Sequence, residues 1–247
     1  MLIIVVAAGF RFWQLGDLPL GLYRDEAYNG LDAVDVLNGE RKGENPIYFP
    51  ANNGREPAYI YLTAAAVRLF GQTSLAVRLA AAVAGTLTTW IIYKLATSWF
   101  NHRTGLLAAW LWAVTVWPIH LSRIGLRPIL LPLILALACW LGTLAYQRQE
   151  THKKARWLWL LSGLVYGLSF YTYLAARFTP IVLLFLILYL IWTGHGKKLW
   201  PGLGWAALGA AATLAPLLIL FWQQPELILG RSGQVSIFNP EINQGTL

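Results

Sequence analysis

Apolar residues crowd into seven blocks, at residues 1–12, 75–98, 104–121, 128–146, 157–174, 178–192 and 199–222. An α-helix rises 1.5 Å per residue, so about 20 mostly apolar residues are needed to cross a bilayer. Six blocks approach or reach that length, and loops of about 5–10 residues join them as in helical hairpins. The first block is too short to cross and starts abruptly on apolar residues. It lacks the basic start and small-residue cleavage site of a signal peptide, and it reads as the remaining part of a first span in a truncated chain. The pattern predicts an all-α integral membrane protein of about seven transmembrane helices, a single membrane domain over residues 1–247.

Between residues 13 and 74 the pattern changes. Over residues 26–38, Ala27, Leu31, Val34 and Leu37 recur at helical spacing, with Tyr28, Asp32 and Asp35 on the opposite face and Asp25 just before it. This predicts a helix lying on the membrane surface, polar face to water. A second helical pattern runs over residues 57–70, with Pro57 suited to its first turn and Gly71 to its end. It is too short to span, so residues 13–74 are expected to form a loop with two interfacial helices. Thr73 or Ser74 can cap the span that follows, and residues 223–247 form a tail on the same side.

Composition sharpens the picture. The chain of 247 residues is 57% hydrophobic and 12% charged, with mean hydropathy +0.52. A soluble domain carries roughly 25% charged residues. The 13 Trp and 11 Tyr fit residues that collect at membrane interfaces. Cys139 stands alone in an apolar run and has no partner for a disulfide or metal site. The net charge of +8 comes without a basic run longer than two residues, so anionic lipid is the expected partner and nucleic acid is not.

Charge also orients the chain. One set of short loops carries Arg103, Arg148, Lys153, Lys154, Arg156, Lys197 and Lys198; the alternate set carries Arg123, Arg127 and Arg177. Seven against three places the first set in the cytoplasm of a multi-pass cell-membrane protein and residues 13–74 outside. Eight of the 11 acidic residues fall in that outer loop: Asp17, Asp25, Glu26, Asp32, Asp35, Glu40, Glu44 and Glu56. The membrane cores are nearly free of ionisable groups, and Arg78 and Lys94 lie near span ends where they can snorkel. Transport pathways usually place charges at mid-membrane, so the pattern argues against transport and for chemistry at the surface.

Two constellations carry that chemistry. Arg24-Asp25-Glu26 reads either as a carboxylate pair steered by Arg24, with one member a general base or metal ligand, or as a helix start that Asp25 caps and Glu26 favours through the dipole. Arg123 and Arg127, four residues apart, together with Arg55 and Arg177, read either as phosphate ligands or as headgroup anchors. His120 stands beside them at a span end. Tyr166, Phe170, Tyr171 and Tyr173 fit either a lipid groove or an interfacial belt.

A first span, a loop with Asp25-Glu26, two surface helices and paired spans resemble the N-terminal half of the membrane glycosyltransferases of the C superfamily. The chain is similar to the protein O-mannosyltransferases and lipid A aminoarabinose transferases of family 39. Gly54-Arg55-Glu56-Pro57 through Tyr61 is similar to that family's charged-Pro-aromatic segment, although Arg55 and Glu56 transpose the charges of the aminoarabinose enzymes. The stretch from His120 to Arg127 looks like the second outer loop. The resemblance implies transfer of a sugar, with inversion, from a polyprenyl-phosphate donor to a protein or lipid acceptor on the outer face. It implies Asp25 and Glu26 as catalytic residues and Arg123, Arg127 and Arg55 as ligands of the donor phosphate. Arg24, Glu56, Tyr61, His120 and Arg177 would be further substrate contacts. A divalent metal, if one takes part, would sit on Asp25 or Glu26. The alternative is a non-catalytic protein that binds or flips lipid-linked sugars; it would share the arginines but have no use for Asp25.

Overall fold

The computed structural model describes residues 2–40, 47–49, 55–148, 155–225 and 227. Glu44, Gly54, Lys153, Lys154 and most of the expected tail lie outside these residues. The described chain is helical: α1 (Leu2–Phe12), α2 (Arg24–Asn38), α3 (Ala58–Phe70), α4 (Ser74–Trp99), α5 (His102–Val114), α6 (Val116–Arg123), α7 (Leu130–Arg148), α8 (Ala155–Leu168), α9 (Thr179–Trp192) and α10 (Gly196–Gln223). Its one extended contact among the described residues pairs Phe49 with Arg55.

Among the described residues, four segments are long and apolar enough to cross a bilayer: Ser74–Trp99, Arg127–Arg148, Leu174–Trp192 and Gly196–Gln223. The expected span over 104–121 is instead broken, α5 and α6 meeting at 53°. Thr115 leaves the helical conformation there and Pro118 follows in the first turn of α6. Counting the bent pair as one gives up to five candidate spans among the described residues, against about seven expected. The block over 157–174 divides between α8 and short 3-10 turns.

The bundle is built around α4, more than half buried, whose inward positions are mostly small: Ala76, Ala81, Ala82, Ala84, Gly85, Thr88 and Thr89. Small side chains let α1, α3, α5 and α7 approach its backbone. Thr73 caps α4, accepting from the Ala76 N–H at 3.2 Å. At the far side α8 and α10 lie against each other, and α9 stands at the perimeter with almost all of its apolar surface outward.

Arginine fastens the break in the α5–α6 span. Arg11 of α1 is fully buried and donates to the carbonyls of Trp112 and Ala113, at 3.3 and 3.2 Å, where α5 ends. These carbonyls lack helical partners and lie at the negative end of the helix dipole, so a cation there satisfies both needs. Arg123 returns the contact from α6, donating to the carbonyls of Phe10, Trp13 and Leu18 around the end of α1.

Candidate active site

The site is organised by α2. The helix begins at Arg24 after an extended Tyr23, so Asp25 and Glu26 are its second and third residues. Glu26 closes the turn by accepting from the Tyr23 N–H at 2.7 Å. Asp25 is therefore not the cap, which corrects one of its two expected uses. Among the described residues its carboxylate makes no side-chain hydrogen bond or ion pair, and it is half-buried.

Glu26 is committed elsewhere. It is fully buried and faces the equally buried Arg78 of α4, Nε to Oε1 at 2.7 Å. The same guanidinium donates to the carbonyls of Leu15, at 3.1 Å, and Gly21. Arg78 does not snorkel. It joins Glu26 to the strap that leads from α1 into α2, and Arg123 holds the middle of that strap at Leu18. The residues delivering Asp25 thus hang between two arginines. Gly125, at φ +59°, passes so close that a Cβ would sit 3.1 Å from Glu26 Oε1 and 3.0 Å from the Tyr59 hydroxyl. Burial, and secondarily the charge on Glu26, hold that hydroxyl above the ordinary tyrosine range, and it donates to the Val77 carbonyl at 2.8 Å.

Further along α2, part of the face expected to meet water turns inward. Asn29 and Asp32 are buried, whereas Leu31 and Leu37 are 60% and 40% exposed. The reason is Arg55, which pairs with Asp32, donates to Asn29 Oδ1 at 3.2 Å and lies 5.9 Å from the Tyr28 ring. A fixed guanidinium fork holds Asn29 and Asp32 inward.

The remaining arginines separate. Arg127 meets Glu56 at 3.1 Å, and Arg177 approaches the other oxygen of the same carboxylate at 3.9 Å while lying 5.0 Å from the Phe221 ring. Each stands in the opening turns of a span, where helix dipoles are positive. Arg123, expected to act beside Arg127, is turned to backbone carbonyls instead. Arg24 is exposed against Tyr28, Tyr61 packs edge-on to Phe49 with 41% exposure, and His120 is exposed near Trp117. No three His, Cys, Asp or Glu side chains converge as metal ligands among the described residues. Both oxygens of Glu26 face donors, so Glu26 does not fit a metal.

Sequence reasoning missed Arg78 and Asn29. A lone arginine four residues into an apolar run resembles a snorkelling side chain, and its burial depends on Glu26, 52 residues away.

A family model described as dolichyl-phosphate-mannose-protein mannosyltransferase matches residues 54–222. No curated protein matches the sequence. Similar solved structures include the archaeal oligosaccharyltransferase AglB from Archaeoglobus fulgidus in complex with an inhibitory peptide and a dolichol-phosphate. It is 19% identical with TM-score 0.70, over 87% of this chain and 28% of that one. The apo form of the Archaeoglobus fulgidus oligosaccharyltransferase gives TM-score 0.68 at 19% identity, over 89% and 28%. A third, with zinc and sulfate, gives 0.62 at 17%, over 95% and 37%. At these identities the likeness is one of fold, and the chain spans about a third of the length of these neighbours.

Proposed function

From the premise that this chain belongs to the dolichyl-phosphate-mannose-protein mannosyltransferase family, we propose that it transfers a sugar from a polyprenyl-phosphate donor to a protein or lipid acceptor at the non-cytoplasmic face. The observation that carries this reading is Asp25. Among the described residues it is an unpaired, half-buried carboxylate on the first turn of a helix, next to a glutamate that makes both the cap and the ion pair. Structural duties fall to Glu26, leaving Asp25 for a proton.

Asp25 takes the proton of the acceptor hydroxyl or amine as that atom forms its bond to the anomeric carbon. The bond from that carbon to the phosphate oxygen breaks on the opposite side, inverting the centre, and polyprenyl phosphate leaves with added negative charge. Stabilising that charge is the task of preorganised donors, and we assign it to Arg127 and Arg177, which share Glu56. Arg55 and Arg123 fit less well, because Asp32 and the α1 carbonyls engage them. A neighbour bound to a dolichol-phosphate and a peptide supports a lipid-linked donor and a peptide-type acceptor.

The purified protein in lipid vesicles, supplied with polyprenyl-phosphate-mannose and acceptor peptides or lipids, tests this. Asp25→Asn is expected to lower transfer by roughly 10²–10⁴-fold, the usual contribution of a general base, with donor binding unchanged. Near-wild-type turnover in a folded Asp25→Asn protein would remove Asp25 from the mechanism, whereas donor binding without transfer by the wild type would favour a flipping or binding protein.

A further inference from the structure

We propose that the side-chain amide of Asn29 is a donor to a hydroxyl oxygen of the transferred sugar, close to the anomeric carbon. The inference rests on the sugar-transfer reading and deepens it. Asn29 is 1% exposed, and among the described residues its Nδ2 has no hydrogen-bond partner. A buried donor left unpaired loses its hydration with nothing in return, so such groups call for an explanation.

The orientation of the amide follows from its neighbour. Arg55 donates to one end of it and can accept nothing. The end facing Arg55 must be the oxygen, and the nitrogen is the end Arg55 does not touch. Arg55 is itself fixed by Asp32, one turn further along α2, so the amide is locked by an ion pair rather than free to rotate. Asn29 stands one turn after Asp25, where side chains on a helix lie about 5–6 Å apart and lean toward the N-terminus. Of the buried side-chain atoms without a partner among the described residues, only that of Asn29 belongs to α2.

The ligand chemistry follows. The donor phosphate calls for cations, whereas a neutral, planar donor suits a hydroxyl oxygen. Asp25 must face the atom bonding to the anomeric carbon, so ring hydroxyls next to that carbon fall within one helical turn of it. An amide locked there senses whether such a hydroxyl is present, and sites built to bond a hydroxyl reject analogues lacking it.

The test uses polyprenyl-phosphate-mannose and its series of monodeoxy analogues, with the wild-type protein, Asn29→Ala and Asn29→Asp in vesicles. Asn29→Asp keeps an oxygen for Arg55 and replaces the N–H donor with a carboxylate oxygen whose charge faces Arg55, which guards against loss of fold. Wild type is expected to lose ~10-fold or more in kcat/KM with one deoxy donor. Both variants should drop to that level with the parent donor, and their parent-to-deoxy ratio should close to within ~2-fold. A wild-type ratio retained in either variant, or equal use of all donors by wild type, overturns the assignment while leaving sugar transfer standing. Failure of wild type to bind or use any of these donors overturns both.

Discussion

Arg78 and Glu26 form a buried pair that the site cannot lose cheaply. Removing one partner of a buried ion pair costs about 3–5 kcal/mol because the other charge stays uncompensated. Arg78→Ala should therefore lower the thermal midpoint of the detergent-solubilised protein sharply. Arg78→Lys, which keeps the charge but cannot fork to Leu15, Gly21 and Glu26 together, should fall between. A wild-type midpoint in Arg78→Ala would remove the pair from the fold's support. Arg123 makes a different prediction, because its partners are backbone carbonyls. Arg123→Ala should loosen the strap before Asp25 and reduce turnover, while the KM for a polyprenyl-phosphate donor stays within about twofold, since uniform binding is untouched. A large rise in donor KM alone would return Arg123 to the phosphate. Arg127→Ala should show the contrasting pattern, with both donor KM and turnover affected.

At the scale of elements, α8 and α10 pack closer than side chains allow. A Cβ on Gly163 would lie 1.9 Å from the Ala206 carbonyl oxygen, and one on Gly209 would lie 2.2 Å from that of Leu160. The obstructing atoms are backbone, so a methyl group forces the helices apart, as expected where small residues set helix approach in membranes. Gly163→Ala should destabilise by roughly 1–3 kcal/mol, the cost of overpacking. Gly204→Ala on α10, where nothing lies within 4 Å, should be neutral. Unfolding in mixed micelles compares the two, and equal midpoints would mean the interface yields. The part of the polar face of α2 that turns inward belongs to the same scale. Its polar side chains are buried because Arg55 and Arg78 arrive from α3's approach and from α4, an arrangement no single helix contains.

Across the whole molecule, the spans divide the charged residues between two ends. One end gathers Glu56, Arg127, Arg177 and Phe221 around α2 and α3. The other brings Tyr146 against His195, Lys198 over Tyr146, and Trp99 onto Thr143. Cytoplasmic placement of the lysine-bearing end is the expected topology. Single cysteines at Asn53 and Lys197, in a Cys139→Ala background, should react with an impermeant reagent in intact cells at residue 53 and not at residue 197. The reverse labelling would move the proposed chemistry to the cytoplasm.

The sequence by itself determined that the protein is helical and membrane-embedded, and it located four long spans to within a few residues at most ends. Apolar length and period are local properties that any neighbouring helix would respect. It also marked Asp25-Glu26 and Glu56, because acidic residues are rare outside the first loop. The division of labour was decided only by tertiary structure. Which of the two carboxylates is sealed depends on Arg78 arriving from α4, and the face that α2 buries depends on Arg55. The 53° break in the α5–α6 span is held at its carbonyls by an arginine from α1, although Thr115 and Pro118 are all that the local sequence offers. Charges in a low-dielectric interior are placed by partners far away in the chain, and spacing along one helix cannot name those partners.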